Sequence, residues 1–122
     1  MRSRGRTHTD GFRRQKGARV VAICDVDEKI LAGEIQRFMK KGGDAQPRGY
    51  TDIRKMLEAD DIDVISIATP NHWHSLMAIW ACQAGKDVYC EKPVSHNVLE
   101  GALLVEHARK HKRIVASGTQ CR

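Results

Sequence analysis

A chain of 122 residues, 41% hydrophobic and 30% charged, has room for one modest globular core. It is too short for a cofactor domain joined to a full substrate domain, and no apolar run approaches the length of a membrane span. The formal net charge of +6 is local: residues 1–19 carry seven basic side chains against Asp10 alone, and the remainder is balanced.

Residues 1–19 read as a basic arm, solvated and partly disordered. Arg2, Arg4 and Arg6 lead into polar residues, with neither the apolar h-region nor the small-residue cleavage site of a secretory signal. A basic arm can attract nucleic acid or an anionic surface. Nothing downstream extends the patch and it lacks the aromatic interleaving of a nucleic-acid binder, Phe12 alone falling within it, so nucleic acid is not the expected partner.

Val20 to Cys24 is a continuous apolar run, which suits a parallel strand covered on both faces. Asp27 and Glu28 suit a helix start, and Ile30, Leu31, Ile35, Phe38 and Met39 follow at helical spacing until Gly42-Gly43. A helix is expected over 27–41 and a short strand at 49–50. Thr51 or Asp52 can cap a second helix over 52–59. Residues 62–68 form the clearest strand, stopped by Thr69-Pro70-Asn71. A helix over 74–84 closes at Gly85. A strand over 87–90, a helix over 97–111 carrying Val98, Leu99, Leu103 and Val105, and a strand over 113–117 complete the chain. This rhythm predicts an α/β fold: a Rossmann-like parallel sheet with helices on both faces, lacking an intact first strand and glycine loop. The expected division is 1–19, a remnant of the glycine-loop region, and 20–122, a dinucleotide-binding domain without a substrate domain.

Ligands of open parallel sheets bind beyond the carboxyl ends of the strands. Three polar clusters fall at such ends: Asp25 to Asp27, Thr69 to His72, and Glu91 to Pro93. A carboxylate at Asp25 can accept both hydroxyls of an adenosine ribose and would repel a 2′-phosphate, which favours NAD over NADP. The glycine loop that should precede it is represented by Gly5, which matches the third glycine of that loop, with Arg2 at the middle position. The backbone of Ala68 and Thr69 can run beneath the cofactor, with Pro70, Asn71 and His72 completing the loop. Lys92 can polarise or protonate a hydroxyl or carbonyl oxygen beside a nicotinamide, and Pro93 fixes its backbone. Glu91 can orient Lys92 or contact the ribose. His72 and His74 lack a third ligand, so no metal site is expected. Cys24, Cys82, Cys90 and Cys121 have no zinc spacing; Cys24 and Cys90 read as small hydrophobes in strands, which fits a reducing cytoplasm.

Four motifs in order carry a resemblance: Ala22-Ile23-Cys24-Asp25-Val26-Asp27, Ala68 to His74, Ala84 to Pro93 with its Glu-Lys-Pro end, and Gly118-Thr119-Gln120. From about Arg4 onward the chain resembles the Gfo/Idh/MocA oxidoreductases, relatives of glucose–fructose oxidoreductase and inositol dehydrogenase. The resemblance implies tightly held NAD, or NADP, and oxidation of a sugar or polyol hydroxyl. It implies that Asp25 is the ribose acid, Thr69 to His72 the loop beside the cofactor, Glu91 a cofactor-contacting acid and Lys92 the active-site lysine. It also implies a carboxyl-terminal domain that supplies the substrate cleft, and frequent homo-oligomers. Without that domain the isolated chain is expected to be inactive. Two other readings remain: an NAD-dependent glycosidase acting through transient oxidation, and a non-catalytic nucleotide-binding domain.

Overall fold

Asp27 accepts the backbone N–H groups of Lys29 and Ile30 and starts a helix where its sequence places one. The computed structural model describes residues 3–42 and 45–119. Arg2 of the glycine-loop reading, Gly43 of the helix stop, and Gln120 and Cys121 lie outside the described residues. The order is α1 (Ser3–Arg13), β1 (Ala22–Cys24), α2 (Glu28–Lys40), β2 (Arg48–Tyr50), α3 (Ile53–Leu57), β3 (Val64–Ile67), α4 (His74–Gln83), β4 (Asp87–Glu91), α5 (Val98–Lys110) and β5 (Val115–Gly118). A 3-10 turn at Asn71–Trp73 leads into α4. Among the described residues every strand pairing is parallel, with a helix in each crossover. The fold is the expected Rossmann-like α/β class.

The chain forms two compact units, residues 1–61 and 62–122. In the first, β1 pairs with β2, Ile23 opposite Gly49. Ile23, Leu31 and Phe38 form its core, with Val20 and Ile35 packed against them. Gly49 lets β2 approach α2: a Cβ there would lie 3.0 Å from Ile35 Cδ1 and 3.3 Å from Leu31 Cδ2. Asp52, one of the two proposed caps, accepts the Arg54 N–H at the start of α3.

The segment read as a partly disordered basic arm holds α1, and residues 14–21 join it to β1 without a strand. The physical reason is a set of partners that local sequence does not reveal. Glu34 on α2 is fully buried; it accepts from Arg6 at 3.0 Å and also pairs with Arg37. Asp10 accepts from Arg37 and from Lys41, each at 2.8 Å. The arm's charge is thus partly spent in holding α1 on α2.

In the second unit the order is β3-β4-β5. Ile65, Ile67, Val88 and Cys90 are buried in the strands, and Ala78, Ala81 and Cys82 of α4 and Leu104 of α5 complete the core. Gly85, at φ +75°, ends α4 as the sequence suggests. Strand β3 alternates exposed and buried residues and is shorter than the apolar run it came from. Val98, Leu99, Leu103 and Val105, the apolar residues that mark α5 in the sequence, are exposed, and the helix is anchored instead by the buried Leu104, which that reading did not single out.

Candidate functional site

The register Ile67 opposite Cys90 and Glu91 opposite Gly118 brings the carboxyl ends of β3, β4 and β5 to one edge of their sheet. The loop Ala68–Pro70 leaves β3 there, Lys92 and Pro93 leave β4, and Thr119 follows β5. Glu91 is 5% exposed, whereas Lys92 and Pro93 are exposed, so the strand buries the carboxylate and presents the ammonium. The Lys92–Pro93 peptide is cis.

The first two residues of α4 hold these loops together. His74 is 2% exposed; its Nε2 lies 2.8 Å from the Thr69 carbonyl oxygen and its Nδ1 2.7 Å from that of Pro93. Ser75, equally buried, donates its hydroxyl to the Val94 carbonyl at 3.0 Å. The loop after β3 and the segment around Lys92 are therefore one hydrogen-bonded structure. Asn71 and His72 lie on the exposed 3-10 turn between them, where the Trp73 N–H donates to the Pro70 carbonyl at 3.0 Å. Thr69 sends its hydroxyl toward Met77 Sδ at 3.7 Å.

Sequence reasoning singled out Thr69 to His72 and Glu91 to Pro93, and the structure brings both segments to the same sheet edge. It left His74 and Ser75 without a role. Their signal was weak because any polar residue can begin a helix, and only the fold puts two carbonyls against one imidazole.

Asp25 and Gly5 belong to the first unit. Asp25 follows β1, is half-buried, and accepts the Asp27 N–H at 3.0 Å, while its own N–H donates to the Tyr50 carbonyl. Gly5 is buried in the first turn of α1. Among the described residues no cluster of three or more His, Cys, Asp or Glu side chains is arranged to hold a metal ion.

The family described as "Oxidoreductase family, NAD-binding Rossmann fold" matches residues 2–119. The chain belongs to the Gfo/Idh/MocA oxidoreductase family. A glycosyl hydrolase family 109 protein of Shewanella pealeana is 34% identical over 114 residues, covering 90% of this chain and 25% of that protein. A probable dehydrogenase of Thermotoga maritima superimposes with a TM-score of 0.85 at 25% identity, over 97% of this chain and 33% of the other. The myo-inositol 2-dehydrogenase of Lactobacillus plantarum superimposes with a TM-score of 0.80 at 28% identity, over 93% and 32%. The match to residues 2–119 includes α1. The chain spans about a quarter of the Shewanella relative and about a third of the two solved dehydrogenases.

Proposed function

We propose that this chain is the NAD-binding portion of an oxidoreductase that transfers hydride between a nicotinamide cofactor and a sugar or polyol carbon. The observation that carries the reading is the exposed Lys92 beside the buried Glu91, tied to the loop after β3 at the carboxyl edge of a parallel sheet. Such an edge is where this class of fold takes its ligand.

Each of the two units carries donors of the kind that a nicotinamide dinucleotide takes. Asp25 ends β1 with a carboxylate suited to the two ribose hydroxyls, and the same charge opposes a 2′-phosphate, so NAD is preferred to NADP. Gly5, in the first turn of α1, offers the close backbone approach that a pyrophosphate needs. Ala68, Thr69 and Pro70 form the platform, and Asn71 and His72 stand at its exposed end. The bound cofactor supplies the two-electron acceptor. Lys92 would donate a hydrogen bond to the reacting oxygen and stabilise negative charge on it. Glu91 is the acid that orients Lys92 or meets the ribose. Selection of one sugar or polyol lies with parts of the relatives beyond the third that this chain matches.

The name of the Shewanella relative favours a second reading, in which transient oxidation activates a glycosidic bond for elimination and is then reversed. Both readings begin with the same oxidation beside Lys92. Net hydrolysis with the bulk NAD pool unchanged would favour the second.

The test is a fluorescence titration of the chain with NADH and NADPH. NADH is expected to bind more tightly, and Asp25→Ala to weaken it by about tenfold, the loss of a charge-assisted hydrogen-bond pair. Unchanged NADH affinity in Asp25→Ala would defeat the ribose role. The chain by itself is expected to show little or no turnover, because Lys92 is open to water and hydride transfer needs close alignment. Sugar oxidation at the rate of an intact dehydrogenase would overturn that expectation.

A further inference from the structure

We propose that His74 is a positioning residue: a doubly protonated imidazole that clamps the Thr69 carbonyl to the Pro93 carbonyl and so sets where Lys92 stands. The importance of the clamp for chemistry rests on the role given to Lys92 above; the clamp itself does not.

A carbonyl oxygen only accepts, and a neutral imidazole donates from one nitrogen while presenting a lone pair at the other. His74 has a carbonyl oxygen at hydrogen-bond distance from each ring nitrogen, 2.7 Å at Nδ1 and 2.8 Å at Nε2. A neutral ring would leave one lone pair facing another. Changing the tautomer would only move that repulsion to the other nitrogen, and turning the ring over would set carbon atoms against both oxygens. The imidazolium alone satisfies both carbonyls. With the ring 2% exposed, water is not an alternative partner.

Two effects oppose the charge: burial, and the positive end of α4, whose first residue is His74. Two short charge-assisted hydrogen bonds act the other way. Charges on the elements packed against α4 are sparse at this end. Strand β3 has none, the 3-10 turn offers the exposed His72, and β4 ends with the buried Glu91 before the exposed Lys92. At the start of α5, Glu100 is committed to the His96 N–H and the Asn97 amide.

The clamp brackets the lysine. Glu91 is held in register opposite Gly118, the Pro93 carbonyl is held by His74, and the Val94 carbonyl by Ser75. The backbone of Lys92 thus lies between fixed points while its side chain remains exposed.

The first measurement is a long-range proton–nitrogen NMR correlation on the labelled chain at neutral pH. Both ring nitrogens of His74 are expected to be protonated; one bare nitrogen would overturn the proposal. The second is hydrogen exchange of the Lys92, Val94 and Ser95 amides in His74→Gln, whose single amide nitrogen cannot reach both carbonyls. Exchange is expected to rise at least tenfold while β3, β4 and β5 keep their protection, and unchanged exchange would overturn the clamp. His74→Phe fills the space of the ring without donors. If it keeps the loop as protected as the parent chain, packing rather than hydrogen bonding holds the loop and the proposal fails. NADH affinity is expected to fall in both variants. If the parent chain binds no NADH, the cofactor reading of Lys92 fails, while the NMR and exchange results still decide the clamp.

Discussion

Cys90 is fully buried on β4, and burial together with the neighbouring Glu91 carboxylate pushes its thiol up to about 12. Burial and Asp52 push Cys24 up to about 11, and burial, aided by Asp87, raises Cys82 as well. The thiolate is the reactive form, so all three should resist alkylation at neutral pH as long as the chain is folded. Peptide mapping after a short iodoacetamide pulse would check this; fast labelling of Cys90 under native conditions would contradict its place in the core. The character of Cys24 and Cys90 was legible in the sequence because apolar runs surround them. His74 was not legible in the same way: its partners are the carbonyls of Thr69 and Pro93, five residues before it and nineteen after it, and main-chain oxygens have no sequence signature. Asp25 and Lys92 lie between these cases. Their positions at strand ends were readable, whereas the burial of Glu91 against the exposure of Lys92 required the fold.

The contact of α1 with α2 turns a charged sequence into a packed element. Burial drives the Glu34 carboxyl upward, but hydrogen bonds from Arg37 and Arg6 outweigh it and hold the group below its ordinary value. Lys41 first, and Arg37 with it, hold Asp10 down against a smaller opposing effect of burial. Carboxyls depressed in the folded state stabilise it above their ordinary values, and that contribution is lost as pH falls through the folded values. The chain should therefore lose stability below about pH 4.5, where unfolded carboxyls begin to bind protons. Glu34→Gln should cost about 2 kcal/mol at neutral pH, since it leaves Arg37 and Arg6 short of a charged partner. It should also flatten the acid limb. Urea unfolding of both proteins at neutral and acid pH measures each effect, and an unchanged acid limb in the variant would count against Glu34 as its source. Helix α2 was readable from its Asp27 cap and apolar spacing, and α4 from its closing Gly85. Helix α1 has few apolar residues and no acidic residue in its first turn, so its stability comes from partners on α2 that only the fold supplies.

At the scale of the whole chain, the alternation of strands and helices identified the Rossmann-like class, and four ordered motifs identified the Gfo/Idh/MocA family. The division into residues 1–61 and 62–122 was not legible, because it depends on which strands find neighbours rather than on a break in composition. Strand lengths were also hard to read: apolar runs continue past the last ladder hydrogen bond, as Ile62 does before β3. Those ladders have a practical consequence. Among the described residues, β1, β2, β3 and β5 each border one neighbour only, so each has a side where its backbone has no strand to bond to. Val64, half-exposed on β3, adds apolar surface to one such border. An unfinished border of this kind is a template for like strands. Self-association should therefore set the working concentration of this protein. Light scattering is expected to climb steeply with concentration and to respond little to added salt, because main-chain hydrogen bonds carry no net charge. Scattering that stayed flat up to high concentration would mean that these borders are covered in solution.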